Sequence, residues 1–198
     1  MVKLLYQGHG SFRLSTDQGT VVYVDPYAGN GYDKPADLIL ISHQHADHNQ
    51  VDLVTKKAEC MIVSNFEAIV DGKHQHFEIH DMVIEAVEAG NNQGHSLDHC
   101  VGYIISIEGL KLYFSGDTSK TDQMATFASK GLDYAFLCAD GHYNMGLEEA
   151  AECAAIIGAK HNVPVHLKPG VLFDLELAEQ FKGPNRLIIA AGDEVELK

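Results

Sequence analysis

Leu38-Ile39-Leu40-Ile41-Ser42-His43-Gln44-His45-Ala46-Asp47-His48 runs from an apolar stretch straight into three imidazoles and a carboxylate. The apolar part is short and bounded, which predicts a buried strand. The ligand-type residues then fall on the loop at its carboxyl end, the edge where open α/β sheets place their chemistry. Histidine with aspartate is the donor set of divalent ions that keep coordination positions open for water and substrate, whereas a closed structural site favours thiolates. The segment therefore reads as a metal site of the catalytic kind.

Other predicted strands end the same way. Val21–Val24 runs into Asp25, Leu112–Phe114 passes through Ser115-Gly116 into Asp117, Tyr134–Leu137 leads to Asp140, and Val163–Val165 ends in His166. Asp and His do follow strands as turn formers. A repeated placement instead predicts that these ends share one edge and converge on a cleft. Further strands are expected over 3–6, 12–15, 60–64, 76–79, 83–89, 101–107 and 186–190. Helices are expected near 121–129, 147–157 and 174–181. The helix at Leu147 carries Glu148, Glu149 and Glu152 early and Gly158 at its end, as the helix dipole and left-handed caps favour. The first half is thus mostly β and the second half alternates.

A chain of 198 residues can bury a sizeable core and falls within the usual size of one domain, expected over 1–198. Cys60, Cys100, Cys138 and Cys153 form no Cys-x-x-Cys pair, so neither a zinc ribbon nor a disulfide framework is indicated. No apolar stretch reaches the ~20 residues that span a bilayer, so no membrane partner is expected. Met1–Gly8 is too short for a signal peptide, which makes the cytoplasm the default location. A formal net charge of −14 repels polyanions, so nucleic acid is not the expected partner.

Five segments in order resemble the metallo-β-lactamase superfamily of metal-dependent hydrolases: Val24-Asp25-Pro26, His43-x-His45-x-Asp47-His48, a histidine ahead of Val101-Gly102-Tyr103, Ser115-Gly116-Asp117-Thr118, and Val165-His166-Leu167. With Gly8-His9-Gly10-Ser11-Phe12 near the start, the chain looks closest to the small branch that includes ascorbate-6-phosphate lactonase-like proteins. The resemblance covers essentially the whole chain. It implies an α/β fold, an αββα four-layer sandwich of two mixed sheets flanked by helices. It also implies two divalent ions, zinc foremost with manganese or iron as alternatives. His43, His45 and the third-motif histidine would hold the first, Asp47, His48 and His166 the second, and Asp117 would bridge them.

For the third-motif histidine, His95 and His99 compete. His95 is preferred because Asn91-Asn92-Gln93-Gly94 before it is turn-rich, as a loop ligand requires. Asp25 reads as a partner that shapes the histidine loop. His9 either does the same or faces substrate, or it is a solvent-exposed turn residue. His74, His76 and His80 alternate along a polar face and read as solvated. His142, Tyr143 and Asn144 follow a strand end, where loops commonly line a cleft.

Paired ions ionise a shared water near neutral pH and stabilise the charge that grows on an attacked oxygen. The implied reaction is hydrolysis of an ester, lactone, thioester or phosphodiester in a small molecule, with Asp47 orienting the nucleophile and passing a proton to the leaving group. If 163–168 stays extended, Lys168 points with His166 and would hold an anionic substrate group. In a bend before Pro169-Gly170 it would stay in solvent. Two other classes remain: a mononuclear iron oxidoreductase similar to persulfide dioxygenases, and a non-catalytic metal-binding module.

Overall fold

The computed structural model describes residues 1–198. Two six-stranded sheets lie face to face. β1 (Val2–Gly8), β2 (Ser11–Thr16), β3 (Val21–Val24), β4 (Ala36–Leu40) and β5 (Lys56–Val63) follow one another across the first sheet. A small hairpin, β6 (Ile69–Val70) with β7 (Lys73–His74), leads to the second sheet. There β8 (His76–Ile79), β9 (Met82–Glu88), β10 (Val101–Ile107), β11 (Leu110–Phe114), β12 (Tyr134–Cys138) and β13 (His161–Val165) lie in sequence order. β14 (Glu194–Leu197) returns to pair antiparallel with β1. Each sheet starts as an antiparallel meander and turns parallel: β3, β4 and β5 in one, β11, β12 and β13 in the other.

Alternation explains the layers. Leu4, Leu14, Val22 and Leu38 face Ile84, Tyr103, Leu112 and Phe136 in the core between the sheets. The outer face of the second sheet buries Ile104, Tyr113, Ala135 and Leu137 under α1, which spans Leu147–Ile157 and turns Ala150, Cys153, Ala154 and Ile157 inward. Gly158, at φ 68°, closes that helix as the sequence predicts. The first sheet's outer face carries a thinner cover from Tyr32, Val51 and Val54. The result is the α/β sandwich expected. No helix is long and apolar enough to cross a membrane.

Three expectations need correction. The helix near Thr121 is a 3₁₀ stretch, Asp122–Lys130, and only Met124 and Phe127 of it are buried. Arg186–Ala190 forms no strand, only an isolated bridge from Arg186 to Asn162. The last strand is Glu194–Leu197, which alternates as Glu-Val-Glu-Leu but is too short, at 4 residues, for its pattern alone to announce it. Its hydrogen bonds to β1 supply what the pattern lacks. The predicted helix over 174–181 is Leu175–Gln180, with Asp174 accepting from the Leu177 amide as its cap.

Candidate metal centre

The parallel strands of both sheets deliver their carboxyl ends to one edge. β3 delivers Asp25, β4 the histidine loop, β11 Asp117, β12 Asp140 and β13 His166. Under that loop, the buried Tyr103 hydroxyl donates to the carbonyls of Ile41 and Val63, which ties the second sheet to the first. His9, Asp25 and His166 all hold left-handed backbones, with φ of 58°, 45° and 48°. Such conformations are costly for these residues and persist where surrounding contacts fix them. Gly116 (φ 58°) is held to glycine as well, because a Cβ there would meet the Val101 carbonyl at 2.8 Å.

Three overlapping donor groups result: His43, His45 and His95; His9, Asp47, His48 and His166; and His43, His48 and Asp117, the donor atoms within each inside 4.8 Å of one another. Asp117 stands between the first two. One carboxylate oxygen is 3.3 Å from His95 Nε2, and the other is 3.3 Å from His48 Nε2 and 3.4 Å from His166 Nε2. Yet His43 Nε2, His48 Nε2, His166 Nε2 and Asp117 Oδ1 are buried without any aligned hydrogen bond. Buried polar atoms are normally paired, so a set that converges without pairing is explained by a cation among the donors. The residues fit a metal.

The opposite nitrogen of three buried rings is hydrogen-bonded by the protein, and that of His166 faces a carboxylate without an aligned bond. Ser42 Oγ meets His43 Nδ1 at 2.9 Å, Asp25 Oδ2 meets His48 Nδ1 at 2.9 Å, Asn92 Oδ1 meets His95 Nδ1 at 3.1 Å, and Asp140 Oδ2 lies 3.2 Å from His166 Nδ1. Such partners select the tautomer that turns Nε2 toward an ion. Asp25 also accepts from the Ser42 amide at 2.7 Å and its hydroxyl at 2.6 Å, so one carboxylate fixes two turns of the loop. Asp140 accepts from the amides of His142 and Tyr143, both at 2.7 Å, and from Asn144 Nδ2.

Charge follows this geometry. Burial and the neighbouring His48 push His43 down to about 2, so it stays neutral and able to donate. Burial works against the charged forms of His48 and Asp117, but their mutual attraction, with Asp25 beside His48 and His166 beside Asp117, raises His48 and lowers Asp117 well away from their usual ranges. Asp140 is likewise held low against its burial by His166 and the loop amides.

All seven residues expected to bind metal meet at this edge. Of the competing histidines, His95 is buried among the donors, while His99 is exposed on an outer lobe of the cleft. His9 is not a solvent-exposed turn residue. It is fully buried, with Nε2 3.0 Å from Asp47 Oδ2 and Nδ1 3.3 Å from the Val171 carbonyl. Lys168 requires correction: β13 stops at Val165 and the left-handed turn at His166 breaks the alternation. The lysine is exposed and lines neither lobe beside the donors, whereas Pro169 does. Asp140, Asn92 and Ser42 were not assigned from sequence as partners of the histidine rings. Only Asp140's place after a strand hinted at the site.

A fold with two such sheets and a donor set on their shared edge defines a class, and the sequence places the chain within it. Residues 3–166 match the beta-lactamase superfamily domain, and the chain belongs to that family. It is 26% identical, across the full length of both chains, to a UPF0173 metal-dependent hydrolase of Pyrococcus furiosus. Its identity to the UPF0173 metal-dependent hydrolase of Thermococcus kodakarensis is 28%, again over both whole chains. Among solved structures, Igni18, a metallo hydrolase of Ignicoccus hospitalis, superposes with a TM-score of 0.74 at 22% identity, covering 100% of this chain and 99% of that one.

Proposed function

We propose that the protein is a metal-dependent hydrolase with a dinuclear centre, zinc being the preferred ion, that cleaves an ester, lactone, thioester or phosphodiester bond in a small molecule. The observation that carries this reading is the convergence of unpaired buried donors on two sides of Asp117. The UPF0173 relatives, named metal-dependent hydrolases, support it over a full-length match. The spread of donors to both sides of Asp117 favours it over a mononuclear oxidoreductase.

His43, His45 and His95 would hold one ion, Asp47, His48 and His166 the other, and Asp117 both. When bound, such ions supply an ionised water at neutral pH and Lewis-acid stabilisation of the attacked oxygen. The remaining work falls to the chain. Asp47 is half-buried and keeps one face toward the cleft, where it orients the nucleophile and carries the proton to the leaving group. His9 fixes Asp47 for that task. Asp25 and Asp140 keep the His48 and His166 rings aimed. Asn92 does this for His95.

Elemental analysis of protein reconstituted with zinc, manganese or iron, together with turnover on ester, lactone, thioester and phosphodiester panels, tests the proposal. About two ions per chain and metal-dependent hydrolysis are expected. A stoichiometry of one at saturating metal would overturn the dinuclear centre, and fully loaded protein inert across the panels would overturn the hydrolase.

A further inference from the structure

Two lobes of the cleft open beside the donors and meet over His45, Gly94 and His95. One, of about 410 Å³, has Phe66 on its wall, and the other, of about 350 Å³, has Tyr143. No lysine or arginine lines either lobe. The Phe66 lobe is lined instead by carboxamides and the exposed His99: Asn92 is committed to His95, Gln44 donates to Asn65 and leaves the Asn65 amide nitrogen to a ligand, and Gln93 adds a further carboxamide. The carboxylates in the Tyr143 lobe are Asp47 and Asp117, both already part of the donor set.

Carboxylate and phosphate groups on a ligand are normally met by guanidinium or ammonium groups, which form charge-assisted hydrogen bonds. A carboxamide offers a neutral donor and a neutral acceptor. The net charge of −14 adds a field that disfavours anions. The cleft flanks are therefore built for polar but uncharged groups.

Phe66 is 68% exposed and Tyr143 56%. Neither is on loosely held backbone. Ser64 Oγ accepts from the Phe66 amide at 3.2 Å, and Glu67 closes a capping box around that turn. Asp140 Oδ1 accepts from the Tyr143 amide at 2.7 Å. An aromatic face held open beside a reactive centre serves to cover an apolar group on a ligand.

Building on the hydrolase reading, we propose that the substrate of this centre is an uncharged molecule with an aromatic or apolar arm, the arm lying on Phe66 or Tyr143 and its polar groups meeting the carboxamides. A substrate anchored by a remote carboxylate or phosphate is disfavoured by the same walls.

The test uses the zinc-loaded full chain and ligands that differ only in a remote charge. By calorimetry, benzohydroxamate is expected to bind about tenfold more tightly than 4-carboxybenzohydroxamate, because the added carboxylate finds no cation. Phe66→Ala, a surface change, should weaken benzohydroxamate about fivefold. Gln44→Lys should raise the affinity for the carboxylate ligand and narrow the gap. Equal or tighter binding of 4-carboxybenzohydroxamate by the unaltered protein would overturn the proposal, as would a failure of both hydroxamates to bind. The hydrolase reading is judged separately by 4-nitrophenyl butyrate against mono-4-nitrophenyl succinate, with faster cleavage of the butyrate expected. Protein that prefers benzohydroxamate but leaves the butyrate intact would count against hydrolysis while upholding the charge preference.

Discussion

His9 Nε2 and Asp47 Oδ2 lie 3.0 Å apart, and the His9 ring also packs on that of His166 at a centroid distance of 3.6 Å. One fully buried side chain thus touches two residues of the same donor group. Its backbone is fixed as well, by bonds from its amide to the Leu172 carbonyl and from the His166 amide to its own carbonyl. Asp47 is the most solvent-open carboxylate at the centre, so it depends on this contact for a fixed orientation.

His9→Ala should therefore lower turnover by ~10–100-fold, the usual cost of losing a partner behind a metal ligand. His9→Gln, which can still donate to Asp47, should recover part of the loss. Thermal melts beside steady-state kinetics would separate this from unfolding. An alanine variant with unchanged melting temperature and unchanged turnover would remove His9 from the mechanism.

Asp140 joins the centre to the Tyr143 loop, since its carboxylate faces His166 Nδ1 on one side and the amides of His142 and Tyr143 on the other. Asp140→Asn keeps an acceptor for the amides but loses the charge beside His166. Metal affinity should fall by ~10–100-fold while amide exchange of the loop stays slow. Asp140→Ala should lose both. Chelator competition and hydrogen exchange read the two effects separately, and wild-type affinity in the asparagine variant would reject the role.

The histidine loop and the strand ends were legible because their signals are local. An apolar run followed by ligands says where a site lies before anything is folded, and His43, Asp117 and His166 are each read this way. The partners of the rings are set by register instead. Asp140 reaches His166 only because β12 and β13 pair in parallel with Cys138 opposite Val165. Nothing in the spacing of the two residues states that. Lys168 shows the converse: strand alternation put it at the centre, and one left-handed residue at His166 took it out. β14 escaped because its 4 alternating residues are too few to stand out, and only pairing with β1 makes them a strand.

His95 and His99 offer a direct comparison within one loop. His95 is buried, held by Asn92 and 3.3 Å from Asp117, while His99 is exposed. His95→Ala should abolish metal binding at the His43 and His45 group and with it turnover. His99→Ala should cost at most about tenfold, through the outer cleft only. Metal titration on both variants decides, and equal losses would show that His99 also reaches the ions.

In the ion-free protein, Asp117 and His48 form a buried pair whose charges respond to pH in opposite directions. His48 is raised above its ordinary 6.5, so its contribution is complete below that value and is lost as pH rises through the folded one. Asp117 is depressed below its ordinary 3.8, so its contribution is present above that value and is lost as pH falls through the folded one. His43, held neutral by burial, opposes this pair below its ordinary 6.5, so the signature of the pair lies on the alkaline side: the melting temperature of chelated protein should drop from about pH 7 to about pH 8.5. His48→Gln should flatten the alkaline limb. Zinc should reverse it, because a coordinating His48 must give up its proton and binding strengthens as pH rises. Melting curves with chelator and with excess zinc across that range test both signs. Chelated protein that gains stability toward alkaline pH, or zinc that stabilises most at acid pH, would contradict the pairing of these residues.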